Sequence, residues 1–124
     1  MAAILAYLAA AVVAGWGLAH AVPTRKVLAG FEPITADNRR IVLQEWLAEA
    51  ITMWGIAAVV IVVTAAGGPE TADRAWVYRA AAGLLIALAT LTALTGARTP
   101  VVWFKICPVL MAGSAVLLLI ASAQ

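Results

Sequence analysis

The chain has 124 residues, 65% of them hydrophobic and 11% charged, with a formal charge of +2 and a mean hydropathy of +1.03. That is more apolar side chain than a domain of this size can enclose in one core, which excludes a water-soluble fold. The basic residues stand at the ends of apolar stretches with no aromatic and basic interleaving, so nucleic-acid binding is excluded, and the single cysteine excludes both an internal disulfide and a CxxC redox centre.

Residues 2–22 carry no formal charge, and Ala19-His20-Ala21 imitates a secretory cleavage signal. The run lacks a basic leader and is about twice the length of a signal-peptide apolar core, so it is expected to be retained as a first membrane span. It stops at Pro23, and Arg25 and Lys26 follow as an interfacial anchor. Val27, Leu28 and Phe31 at helical spacing predict a short amphipathic segment on the membrane surface before the Gly30/Pro33 break. Thr35 or Asp37 can cap a second span over 38–66, which is longer than the hydrocarbon layer and has to tilt or project into the headgroups.

Gly67-Gly68-Pro69 ends that span, and Thr71 or Asp73 can cap a third over 74–97. Arg98-Thr99-Pro100 allows only a tight antiparallel return into a fourth span over 101–122, with Pro108 inside it as an expected bend. The fold class expected is therefore all-α, an integral membrane antiparallel four-helix bundle in one domain, with a short interfacial segment between the first two spans. Small residues recur four apart, as at Ala11/Gly15 and Gly83/Ala87, which permits close helix packing in lipid.

Arg25, Lys26, Arg39, Arg40, Arg98 and Lys105 fall on one side of this topology and only Arg74 and Arg79 on the other. The bias predicts a multi-pass cell-membrane protein with both termini outside the cytoplasm, and argues against dual topology.

Glu45 and Glu49 stand one helical turn apart on one face of the second span. Counted back from Ala66 at 1.5 Å per residue, they lie roughly 31 and 25 Å down the helix, near the cytoplasmic boundary. They can reach the headgroups or be neutralised by Arg39, Arg40 or Lys105; alternatively they form an acidic cavity wall, because intramembrane carboxylates usually face the bundle interior or water. His20, Arg98 and Lys105 end or begin the other spans at the same level, so every span brings an ionisable group there. His20, Glu45, Glu49, Trp46, Lys105 and Arg98 are the candidate ligand-binding residues.

One histidine and two carboxylates fall short of a facial triad, no Glu-x-x-His pair is present for a di-iron site, and one histidine cannot hold a bis-histidine haem, so neither a metal nor a cofactor is expected. Cys107 in an apolar stretch is expected to be an inert packing residue. Trp16, Trp46, Trp76 and Trp103 lie near span ends, where amphipathic rings anchor at the interface; Trp46 with Met53 and Trp54 can also line a pocket above the glutamates. Arg79 can snorkel to the opposite headgroups, and Thr90, Thr92, Thr95 and Ser114 can bond within their own helices.

Gly17-x-x-His20 near the end of the first span, a glutamate early in the second at Glu45 or Glu49, and a close final pair of spans resemble the DoxX-like group of small four-helix membrane proteins. The long connection from Phe31 to Arg40 departs from that layout. The resemblance implies a bundle, with members linked to membrane redox or stress systems. The function expected is binding of a lipid, quinone or other lipophile, or service as an accessory subunit, through a polar site at the cytoplasmic end. The partners expected are membrane lipid or a small lipophile, a second copy of the chain, or a larger membrane complex. A proton- or cation-coupled carrier and an enzyme acting on a lipophile are the alternatives.

Overall fold

The computed structural model describes residues 1–67 and 72–124, with the backbone alone at residue 72. Five α-helices follow in order: α1 (Ala2–Ala21), α2 (Thr24–Ala29), α3 (Ala36–Ala65), α4 (Ala72–Leu94) and α5 (Val102–Ser122), with a 3₁₀ turn over Gly96–Arg98. α1, α3, α4 and α5 are each long and apolar enough to cross a membrane. The protein is an all-α four-helix membrane bundle, with the six-residue α2 between its first two spans.

The helix boundaries follow from local chemistry. α3 begins at Ala36, two residues before the expected start, because the Thr35 hydroxyl accepts from the Asn38 N–H at 3.2 Å and leaves Asp37 in the first turn, where the helix dipole favours an anion. α4 ends at Leu94, earlier than expected, and the chain tightens into the 3₁₀ turn. Gly96 lets Phe104 pack against the turn, since a Cβ would stand 3.0 Å from its ring. Thr99 then donates to the Gly96 carbonyl at 2.7 Å and closes the return. Asp73 lies inside the first turn of α4, whereas Gly68, Pro69 and Thr71 lie outside the described residues.

α4 and α5 form the most extensive pair, α1 packs on both α3 and α5, and α3 touches α4 only slightly. Around the bundle the order is therefore α3, α1, α5, α4. The buried positions explain this packing. They fall at alternating steps of three and four: Ala50, Met53, Ala57, Val60 and Thr64 on α3; Tyr78, Ala82, Leu85, Ala89 and Thr92 on α4; Cys107, Met111, Ser114, Leu118 and Ala121 on α5. That 3.5-residue repeat is the seam of left-handed bundle packing. On α1 the seam is small, Ala2, Ala6, Ala9, Val13 and Gly17, so its neighbours approach closely. Large apolar side chains such as Leu8, Ile51, Val62, Leu91 and Val109 point outward, into lipid.

Thr64, Tyr78, Thr92 and Ser114 are turned inward, whereas Thr52 and Thr90 are exposed and bond to carbonyls of their own helices. Thr64 donates to the Val60 carbonyl at 2.5 Å, so the Tyr78 phenol, 2.7 Å away, donates to Thr64 and ties α3 to α4 at the end where they meet.

At Gly17 the side chains of α3 lie directly on the α1 backbone: a Cβ there would lie 2.8 Å from Trp54 Nε1 and 3.2 Å from Met53 Cβ, whereas a Cβ at Gly55 would meet nothing within 4 Å. Gly17→Val is expected to lower stability in detergent by about 1–3 kcal/mol, the usual cost of overpacking. Gly55→Ala is expected to be neutral or to stabilise by up to about 1 kcal/mol. Thermal or denaturant unfolding followed by circular dichroism measures both.

Candidate functional site

The site begins with an end-of-helix problem. The last carbonyls of α1 have no partner within the helix and lie near the membrane boundary, where an unpaired carbonyl is costly. Val22 N–H bonds to Leu18 O at 3.0 Å and the Thr24 hydroxyl to Ala21 O at 2.5 Å. The carbonyl of His20 accepts from the indole N–H of Trp46 on α3, at 3.1 Å.

The exchange is reciprocal. His20 Nε2 stands 3.1 Å from the Trp46 carbonyl and 3.7 Å from Glu49 Oε2. Both neighbours are acceptors, so Nε2 carries a proton and donates to the Trp46 carbonyl. The imidazole also stacks on the indole, with ring centroids 3.8 Å apart and planes 19° from parallel. Phe104 of α5 meets the same indole edge-on at 6.1 Å. Two helical turns further along α3, Trp54 donates to the Ala14 carbonyl at 3.2 Å. Two tryptophans of α3 thus bond to the backbone of α1.

Glu49 lies one turn beyond Glu45 and keeps 31% of its side chain exposed, while His20 is buried. Neither glutamate has a Lys or Arg partner among the described residues: Arg39 pairs with Glu32 and Arg40 with Asp37. Glu45 is exposed and has only a long contact from Gln44, 3.5 Å. Glu45, Trp46 and Glu49, with Phe31, Ile41 and Val42, line an open depression of about 280 Å³ between the connector after α2 and the outer face of α3.

Of the six candidate residues, His20, Trp46 and Glu49 come together and Glu45 shares the depression. Arg98 and Lys105 are exposed and make no side-chain hydrogen bond or ion pair among the described residues. Lys105 does not neutralise the carboxylates. Met53 is buried in the core and Trp54 packs on Gly17, so neither lines the depression. Ile41 and Val42 were not singled out by sequence, although Ile41-Glu45-Glu49 and Val42-Trp46 are four-residue stripes that share a helix face. Among the described residues no group of three His, Cys, Asp or Glu is placed to hold a metal ion. At the opposite end, the Arg79 guanidinium lies over the Trp76 ring, 4.9 Å from its centroid, which gives that cation an aromatic partner at the interface.

Chemically, the arrangement offers two carboxylate acceptors, an imidazole fixed by its neighbours and an apolar wall. It can receive hydrogen-bond donors and exchange a proton, while Cys107 is packed in the hydrophobic core away from solvent. No family model, curated protein or solved structure matches the chain.

Trp46→Phe keeps the aromatic stack and deletes the donor to the His20 carbonyl. It is expected to cost about 1–3 kcal/mol, the penalty of a buried acceptor left unpaired. A cycle with His20→Gln should show a coupling of at least about 0.5 kcal/mol in unfolding measurements, since the two residues share one network.

Proposed function

We propose that the protein is a small membrane binding protein whose ligand is a lipophile, a membrane lipid or a quinone, held in the depression at the His20 end. The observation that carries this reading is Glu49, a partly exposed carboxylate with no Lys or Arg partner among the described residues, beside buried His20 and in a depression that is otherwise apolar except for Glu45. An uncompensated carboxylate at a membrane boundary is unfavourable, and a ligand group that donates a hydrogen bond offsets the cost. Glu45 supplies a second acceptor nearer water. Phe31, Ile41, Val42 and Trp46 supply the contact for a chain or ring.

Binding accounts for the packing better than transport does. Val13, Met53, Val60, Leu85, Met111 and Leu118 are almost completely buried and fill the centre of the bundle. A carrier would have to open that layer in each cycle. The DoxX-like resemblance supports the reading through Gly17-x-x-His20, a glutamate at Glu45 or Glu49 and the close final pair of spans. The six-to-two basic bias supports a cytoplasmic location for this end, with both termini outside the cytoplasm at the cell membrane.

Native mass spectrometry of the purified protein, followed by organic extraction, is expected to find a stoichiometric lipophile. Glu49→Gln should lower its retention about tenfold or more, the worth of a hydrogen bond to a charged group, and Glu45→Gln should lower it less. Equal retention by both variants and the unaltered protein would remove the glutamates from the site. Reporter fusions at Gln124 are expected to read as extracytoplasmic; a cytoplasmic signal would invert the orientation.

A further inference from the structure

The six basic residues at the His20 end are not equivalent. Arg39 is bonded to Glu32 and Arg40 to Asp37, so each pair presents no net charge. Arg25, Lys26, Arg98 and Lys105 are all exposed, and none has a carboxylate within 4.0 Å among the described residues. They form two corners. Arg25 and Lys26 ride on α2, which is held by buried Leu28 and touches α3. Arg98 ends the 3₁₀ turn that packs on α4 and α5, and Lys105 sits in the first turns of α5. The first corner thus lies beside α3 and the second where α4 meets α5, both at the same end of the bundle.

The neighbours of these cations define their surroundings. Val102 and Trp103, with 61% and 68% of their surfaces exposed, flank the Arg98 and Lys105 corner, and Val22 and Phe31 bracket the Arg25 and Lys26 corner. Cations beside exposed apolar and aromatic side chains at the end of membrane spans stand at the level of lipid phosphates. We propose that these two corners bind the phosphates of anionic phospholipids and gather such lipids on the flanks of the bundle. Arginine can engage a phosphate bidentately and lysine adds a point charge beside it. The carboxylate-lined depression repels the same headgroups, so the anionic lipids bound at the corners differ from the lipophile of the depression, and this inference does not depend on that one.

The test uses the whole protein in detergent, with phosphatidylglycerol or phosphatidylcholine added and bound lipids counted by native mass spectrometry. Phosphatidylglycerol is expected to be retained several-fold over phosphatidylcholine and to be lost as salt is raised. R25Q/K26Q and R98Q/K105Q should each lower phosphatidylglycerol retention about fivefold or more, since each basic residue near an anionic surface contributes about a fivefold preference. The charge-conserving E32Q/R39Q should leave it unchanged. Circular dichroism establishes that each variant is folded, and the salt dependence of the unaltered protein tests the idea without any variant. Equal retention of the two lipids, retention insensitive to salt, or folded corner variants that bind like the unaltered protein would overturn it. Displacement by inorganic phosphate at low concentration would overturn it too, by assigning the corners to a soluble anion.

Discussion

Two indole N–H groups on one helix, bonded to two carbonyls of another, set the geometry on which the His20 end depends. In lipid there is no hydrophobic force between apolar helices, and register has to come from shape and from directional bonds. Trp54 bonds to a mid-helix carbonyl where Gly17 lets its ring lie against α1, and Trp46 bonds to a terminal carbonyl that the helix itself cannot satisfy. Because His20 returns a bond to Trp46, the first and third helices cannot slide past each other without breaking contacts in both directions. Glu49, one turn beyond Trp46, is placed beside the imidazole by that register.

The other half of the bundle is held differently. α4 and α5 pack along their length after the Gly96 return, α1 bridges to α5, and the slight contact of α3 with α4 is secured by the Thr64–Tyr78 hydrogen bond. Two close pairs joined through α1 and α5 leave the centre filled by Met, Leu and Val side chains and the chemistry confined to an end. A surface with lipid-facing Leu, Ile and Val over buried Thr64, Tyr78, Thr92 and Ser114 reverses the pattern of a soluble bundle, as expected where the solvent is hydrocarbon.

Charge at the His20 end is divided by pairing. Glu32 and Asp37 take Arg39 and Arg40, the two cations of α3, and leave Glu45 and Glu49 without basic partners on the same helix. The arithmetic is local, because each pair is closed within the start of α3 or its preceding loop. The result is a depression lined by two carboxylates and apolar side chains on one side of α3, and, among the described residues, Arg25, Lys26, Arg98 and Lys105 without carboxylate partners at the same end.

Length, hydropathy and punctuation by Pro and Gly determined the four spans, the short segment between the first two and the tight final return, because a bilayer sets helix length and turn residues act locally. The i, i+4 spacing likewise placed Glu45 and Glu49 on one face of α3. Hydropathy left open which face of each span is buried, since lipid-facing and core-facing positions are equally apolar; the 3.5-residue seam emerges only when the helices pack. Composition put six ionisable or aromatic candidates at one level, and tertiary contact alone separated them, joining His20, Trp46 and Glu49 across 26 residues of chain while leaving Arg98 and Lys105 exposed. That separation depends on the rotation of each helix about its axis, which is set by its neighbours: an indole reaching a particular carbonyl, and a glycine that lets it come close.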